Sequence, residues 1–168
     1  VEVRTPLIFD KALWEQSGHW EKFRENMFLI PDEDHVFAIK PMNCPGHMKL
    51  FANQLRSYRE LPLRYAEAAP LHRNERAGTL HGLTRVRIVT QDDAHIFCTR
   101  EQIEDEIFAC LDYAKFVYDL FGLESSFELS TRPENRLGGD EEWDFTEAAL
   151  RAALERRGLE YSLNEGDG

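Results

Sequence analysis

Apolar side chains at Ile103, Ile107, Cys110, Ala114, Val117 and Phe121 recur at steps of four and three, so one face of a helix over Glu101–Phe121 is hydrophobic. Its ends are marked. Thr99 with Gln102 three residues on forms a capping box, and Gly122 supplies the left-handed residue that closes a helix. On this pattern Cys110 is core. A second helix is expected from Pro45, a residue suited to the first helical turn, past Met48, Phe51 and Leu55 to Tyr58, with Cys44 at its N-terminus. A third spans Asp144–Arg157 and closes at Gly158, and a fourth over Asp10–Phe23 is broken at Ser17-Gly18.

Between these helices lie runs rich in β-branched and aromatic residues: Val36–Lys40, Leu63–Ala69, Leu83–Phe97 and Leu123–Ser130. The second and third are joined by a polar, glycine-containing loop without helical pattern, which predicts a long antiparallel hairpin. The fold class that follows is α+β or mixed α/β, a mostly antiparallel sheet flanked by helices.

With 168 residues the chain is one domain or a piece of a larger protein, and no linker-like segment suggests an internal boundary. A charge of −11 argues against a surface that is wholly a nucleic-acid footprint but leaves room for a local basic groove. No apolar run of about 18 residues occurs and the N-terminus lacks a basic-then-apolar leader, so no membrane partner is expected. Three irregularly spaced cysteines (Cys44, Cys98, Cys110) fit a reducing, cytoplasmic setting better than a disulfide framework.

Charge is unevenly spread. Leu71–Thr90 carries four arginines (Arg73, Arg76, Arg85, Arg87) and one glutamate, whereas Phe127–Gly168 carries eleven acidic and five basic side chains. Along an extended strand Arg85, Arg87, Val89, Gln91, Asp93 and His95 share one face, and the opposite parity (Val86, Ile88, Ile96) is expected to pack inward. The polar row reads either as a solvated sheet face or as a recognition surface, its guanidinium forks suited to phosphate and its Gln/Asp/His end to polar contacts or a metal. Cys44, His95 and His47 have the donor chemistry of zinc. Cys44 is equally open to reading as a nucleophile activated by a helix N-terminus, or as a small half-buried residue before a Pro-Gly helix start. His19 reads as a local turn histidine as readily as a catalyst.

RTP (Arg4–Pro6), SGHW (Ser17–Trp20), KPMNCPGH (Lys40–His47), RNE (Arg73–Glu75) with LHGLTRVR (Leu80–Arg87), TQDDAHIF (Thr90–Phe97) and LSTRPENRLGGDEEW (Leu129–Trp143) together resemble the catalytic core of the threonyl-tRNA synthetases, class II aminoacyl-tRNA synthetases. The resemblance covers essentially the whole chain. It implies a class II sheet and ATP-dependent activation of L-threonine, followed by transfer to the 3′ end of tRNA(Thr). It also implies Mg2+ with the ATP, a homodimer in the complete protein, and a zinc ion held by Cys44, His95 and a further histidine. Arg73 would clamp the α-phosphate and carboxylate, Glu75 would contact adenine and Arg85 the phosphates. Gln91 and Asp93 would contact threonine, Met42 would wall the pocket, and His19 would serve the transfer step.

Three positions depart from the family pattern. His95 is the last histidine, so the third zinc ligand has no counterpart among these residues; Val89 stands where an aromatic side chain stacks on adenine; and the arginine-bearing motif 3 is expected beyond Gly168, as the motif 1 helix is before Val1. These residues by themselves are expected to be catalytically silent. The alternative function is a synthetase-like, non-catalytic tRNA- or ligand-binding protein; a class II enzyme for another amino acid is a third.

Overall fold

A computed structural model describes residues 1–168. In chain order the elements are β1 (Ile8–Asp10), α1 (Lys11–Gln16), α2 (His19–Phe23), β2 (Phe28–Asp32), β3 (His35–Ile39), α3 (Cys44–Ala52), β4 (Leu63–His72), β5 (Ile88–Phe97), α4 (Ile103–Phe121), β6 (Phe127–Ser130), α5 (Asp140–Arg156) and β7 (Tyr161–Asn164). They gather into two compact units, Val1–Phe97 and Cys98–Gly168.

In the first unit β1, β3 and β2 form an antiparallel sheet in that order. Asp10 caps α1 by accepting from the Ala12 N–H at 2.7 Å, and Gly18 at φ 76° separates α1 from α2, the break expected at Ser17-Gly18. That bend turns Trp14 inward. With Met27 and Ala38 it forms a core completed by Phe9, Trp20 and Phe23. The long hairpin is β4 with β5, paired from Leu63↔Phe97 to His72↔Ile88. The N-terminal residues run beside β4, the Ala66 N–H donating to Val1 O and the Val3 N–H to Ala66 O, each at 2.9 Å. This segment delivers Thr5 to the hairpin.

In the second unit α4 packs on α5, and β6 and β7 pair in parallel on either side of α5 in sequence. The Thr99 capping box forms and Gly122 closes α4 at φ 66°. Leu129, Ala153 and Leu154 are its buried apolar side chains, and Arg132 binds Glu147 and Asp144.

Several expectations are corrected. Cys110 is exposed, since Ile103, Ile107, Leu111, Ala114 and Val117 make the covered stripe of α4 and Glu106 is its buried residue. α3 ends at Ala52 rather than Tyr58, leaving Leu55 fully exposed. The strand predicted from Leu83 begins only at Ile88. Gly82 at φ 49° and the antiparallel His81↔Arg85 bridge close a small loop first.

Candidate functional site

β4 and β5 present one covered face and one exposed face. On β4 the covered side chains are Tyr65, Glu67, Ala69 and Leu71, and on β5 they are Val89, Gln91, Asp93 and His95. The register sets Tyr65 opposite His95 and Glu67 opposite Asp93. The polar row of β5 therefore points to the covered side, while Ile88, expected inward, is 59% exposed. Arg85 and Arg87 precede β5 and do not continue the row.

The N-terminal turn of α3 lies against Thr5 and Phe9. Pro45, Gly46 and His47 are buried there, and a Cβ on Gly46 would stand 2.9 Å from Thr5 Cγ2 and 3.1 Å from Phe9 Cζ, so only glycine permits the approach. His47 is carried with it to the hairpin.

Glu67 organises a buried polar network. Its Oε1 accepts from Lys40 Nζ at 2.9 Å and from the Thr5 N–H at 2.8 Å; its Oε2 accepts from Thr5 Oγ1 at 2.8 Å and meets His47 Nε2 at 3.0 Å. Burial pushes this carboxyl up, and the bonds from Lys40, Thr5 and His47 outweigh it, holding the pKa at about 2. The chain of contacts continues outward, with His47 Nδ1 lying 2.9 Å from His95 Nδ1.

Around Asp93 the remaining donors converge. Asn43, fully buried, donates from Nδ2 to Asp93 Oδ2 at 3.1 Å, and its Oδ1 has no hydrogen-bond partner. His95 Nδ1 lies 3.9 Å from the same oxygen. Cys44 feels both Asp93 and Arg73; burial and then the Asp93 carboxylate push its thiol up, outweighing its helix-terminal backbone bond and Arg73. This upward shift opposes the activation that a helix N-terminus would give the thiol. Burial lowers the His95 pKa, favouring the neutral imidazole that a metal requires. Cys44, which feels the Asp93 carboxylate, and His95, 3.9 Å from it, have the donor chemistry of zinc, but no group of three His, Cys, Asp or Glu side chains in this chain could hold a metal ion, so these two alone do not make a site.

Arg73 leaves β4 beside this cluster, its Nε donating to Pro41 O at 3.4 Å and its guanidinium lying 5.8 Å from the Phe23 ring centre. Its backbone N–H donates to Arg87 O, which ties the two arms of the loop together. Glu75 is buried and Arg85 grips it from Nε and Nη2, the shortest contact being 3.1 Å. His19 stands apart, its partners being Ser17 Oγ at 2.8 Å and the edge of Trp14. Met42 and Gln91 are half-buried, Met42 just before α3 and Gln91 on the covered face of β5.

The tRNA synthetase class II core domain family (G, H, P, S and T) matches residues 26–155. The chain belongs to that family. This synthetase core is 58% identical over 167 residues to the Dictyostelium discoideum protein named "Probable threonine--tRNA ligase 1, cytoplasmic", matching 99% of the chain and 24% of the relative. It is 56% identical over its whole length to the threonine–tRNA ligase of Nitrosomonas eutropha, of which it covers 27%. The chain thus spans about a quarter of the length of the curated relatives it matches. Among solved structures, the RNA binding domain of threonyl-tRNA synthetase from Cryptosporidium parvum aligns with all of this chain and 42% of its own, at TM-score 0.91 and 49% identity. The mostly antiparallel, class II-like fold expected from sequence is the fold observed.

Sequence reasoning missed the Thr5–Lys40–Glu67 network and the coupling of His47 to His95. A signal was available. Glu67 shares the parity of Tyr65, Ala69 and Leu71, and an acidic side chain on the apolar parity of a strand needs buried partners.

Proposed function

We propose that this synthetase core is the amino-acid- and ATP-binding part of a threonine–tRNA ligase. The observation that carries this reading is the convergence of Cys44, Asn43, Asp93 and His95 on the covered face of the β4–β5 hairpin, with Arg73 beside it. A threonine carboxylate oxygen attacks the α-phosphorus of ATP, a bond to the bridging oxygen breaks, and pyrophosphate leaves with its electron pair. Arg73 holds positive charge where negative charge builds, which is the electrostatic help such a step needs. Glu75 faces the adenine and Arg85 the phosphates, with Mg2+ accompanying the nucleotide. His19 serves the later transfer to the terminal ribose of tRNA(Thr).

Gln91 and Asp93 hold the threonine and Met42 walls its pocket. Cys44 and His95 would give two ligands to a zinc ion, with a third needed from outside these residues. Such an ion would supply a Lewis-acid site for an amino and a hydroxyl group, which valine would not satisfy. An apolar pocket alone discriminates such isosteres only weakly, by about a hundredfold. Serine carries the same hydroxyl and lacks one methyl, so an editing activity elsewhere in the full-length protein completes the selectivity. The full-length protein is a cytoplasmic homodimer. No helix here is long and apolar enough to cross a membrane.

Val89, lacking an aromatic face for adenine, favours a second reading as a non-catalytic tRNA- or ligand-binding protein. Charging of tRNA by the full-length polypeptide separates the two. The ligase reading predicts threonine esterified to tRNA and loss of that product in Arg73→Ala; tRNA bound without charging supports the second.

A further inference from the structure

We propose that Asn43 is a positioning residue for amino-acid recognition: its buried carboxamide holds the Asp93 carboxylate in the orientation that receives the hydroxyl group of threonine. This deepens the ligase proposal above and rests on its assignment of Asp93 to the substrate.

Asp93 needs such a partner. In the β4–β5 register it stands directly opposite Glu67, and both side chains point to the covered face. Two carboxylates paired across a ladder repel. Glu67 is held at its own end by Lys40, Thr5 and His47. Asp93 has none of those donors, and His95 Nδ1, at 3.9 Å, is beyond hydrogen-bond range. The donor that reaches it is Asn43 Nδ2, at 3.1 Å from Oδ2. With 25% of its side chain exposed, Asp93 offers an incoming ligand a carboxylate whose rotation that bond restricts.

Asn43 forgoes two ordinary interactions in this role. It stands at the N-terminal boundary of α3, where its backbone carbonyl accepts from the His47 N–H at 3.1 Å. Asparagine is favoured at such a boundary because its side-chain oxygen usually accepts from a backbone N–H of the first turn. Here the backbone is already helical, at φ −91° and ψ −19°, and the side chain makes no such bond. Its Oδ1 is instead buried with no hydrogen-bond partner, although buried polar atoms of native structures are as a rule paired. Exchanging the two ends of the amide would not relieve this, since Oδ1 would then face Asp93 Oδ2, acceptor against acceptor. Fully buried and half-satisfied, Asn43 serves the fold poorly and fixes Asp93 well. Local rules are broken in this way at functional sites.

L-2-aminobutyrate is threonine with the hydroxyl replaced by hydrogen, so it probes the pocket without the group that Asp93 receives. ATP–pyrophosphate exchange in the full-length protein, with threonine as substrate and L-2-aminobutyrate as competitor, compares the wild type with Asn43→Ala. The expected result is a KM for threonine raised about tenfold or more in the variant, with the inhibition constant of L-2-aminobutyrate, the KM for ATP and the zinc content unchanged. A general disturbance of the pocket weakens both amino acids together, and that outcome overturns the proposal, as does an unchanged KM for threonine. Loss of bound zinc in the variant overturns it too, because the effect would then run through Cys44. Asn43→Asp keeps the shape of the side chain, removes the donor, and must show the same split. In wild-type crystals grown with threonine, Asn43 Nδ2 is expected on Asp93 with the substrate hydroxyl on the same carboxylate. An Asn43 side chain turned away from Asp93 overturns the proposal with no variant to fold. Wild-type protein without threonine-dependent exchange would instead overturn the ligase reading, and the role given to Asn43 with it.

Discussion

Lys40 Nζ lies 2.9 Å from Glu67 Oε1, and no more than 2% of either side chain is exposed. A buried pair of this kind adds little net stability over an apolar replacement, but removing one member strands the other. Lys40→Met leaves the Glu67 carboxylate buried without its cation and is expected to cost about 3–5 kcal/mol. Urea unfolding of the full-length protein beside the wild type checks this. A loss below about 1 kcal/mol would place the pair among exposed surface bridges in effect.

Acid stability follows from the same carboxylate. Lys40, His47 and, across the ladder, Asp93 face Glu67. Its folded pKa of about 2 lies below the ordinary 4.5, so its contribution is fully present above pH 4.5 and is lost as pH falls towards 2. The contribution is on the order of 3 kcal/mol. Unfolding free energy measured from pH 6 down to pH 2 should fall less steeply in Glu67→Gln than in the wild type.

Gly46 tests the approach of α3 to the N-terminal segment. Alanine normally favours a helix over glycine by about 1 kcal/mol. Here its Cβ meets Thr5 and Phe9 at 2.9 and 3.1 Å, so Gly46→Ala should destabilise by about 1–3 kcal/mol. Thermal unfolding gives the sign, and a gain in melting temperature would contradict the packing described.

The Arg85–Glu75 pair couples a half-exposed guanidinium to a buried carboxylate. Arg85→Ala leaves Glu75 without its donor and should cost about 1–3 kcal/mol, read by urea unfolding. With Arg85 at the ATP phosphates, as proposed above, losing a charged hydrogen bond there should raise the KM for ATP roughly tenfold or more, with the KM for threonine little changed. Arg85→Lys should recover only part, because an ammonium does not reproduce the guanidinium fork. Steady-state pyrophosphate exchange at varied ATP checks both.

How far the fold could be read from the residues depends on where local signals acted alone. The Thr99 box, Gly122 and the Gly18 break are decided within a few residues and appear where the pattern puts them. β2 carries no clear strand signal, since Pro31 argues against a strand; the proline is tolerated there because β2 lies at the sheet edge. β1 is too short at three residues to show a period, and β7 reads as polar. Helical periodicity gives a face but not its width, so Cys110 falls just outside the covered stripe and Leu111 takes the covered position.

At the site, the residue types were visible and their pairing was not. The hairpin pattern brought Asp93 and His95 to one face, and the KPMNCPGH segment brought Cys44 to a helix start. That His47 turns to His95, and that Lys40 is bonded to Thr5 and Glu67, depends on three segments meeting across 35, 27 and 48 residues of chain. No local pattern encodes such meetings.

Amino-acid-dependent ATP–pyrophosphate exchange in the full-length polypeptide with threonine, serine and valine, before and after zinc chelation, decides the proposal that this core activates threonine and reads its hydroxyl. The expected result is exchange with threonine, weaker exchange with serine, none with valine, and loss of exchange on chelation. Exchange with valine comparable to threonine, or no exchange with any of the three in a folded, zinc-loaded protein, would contradict it.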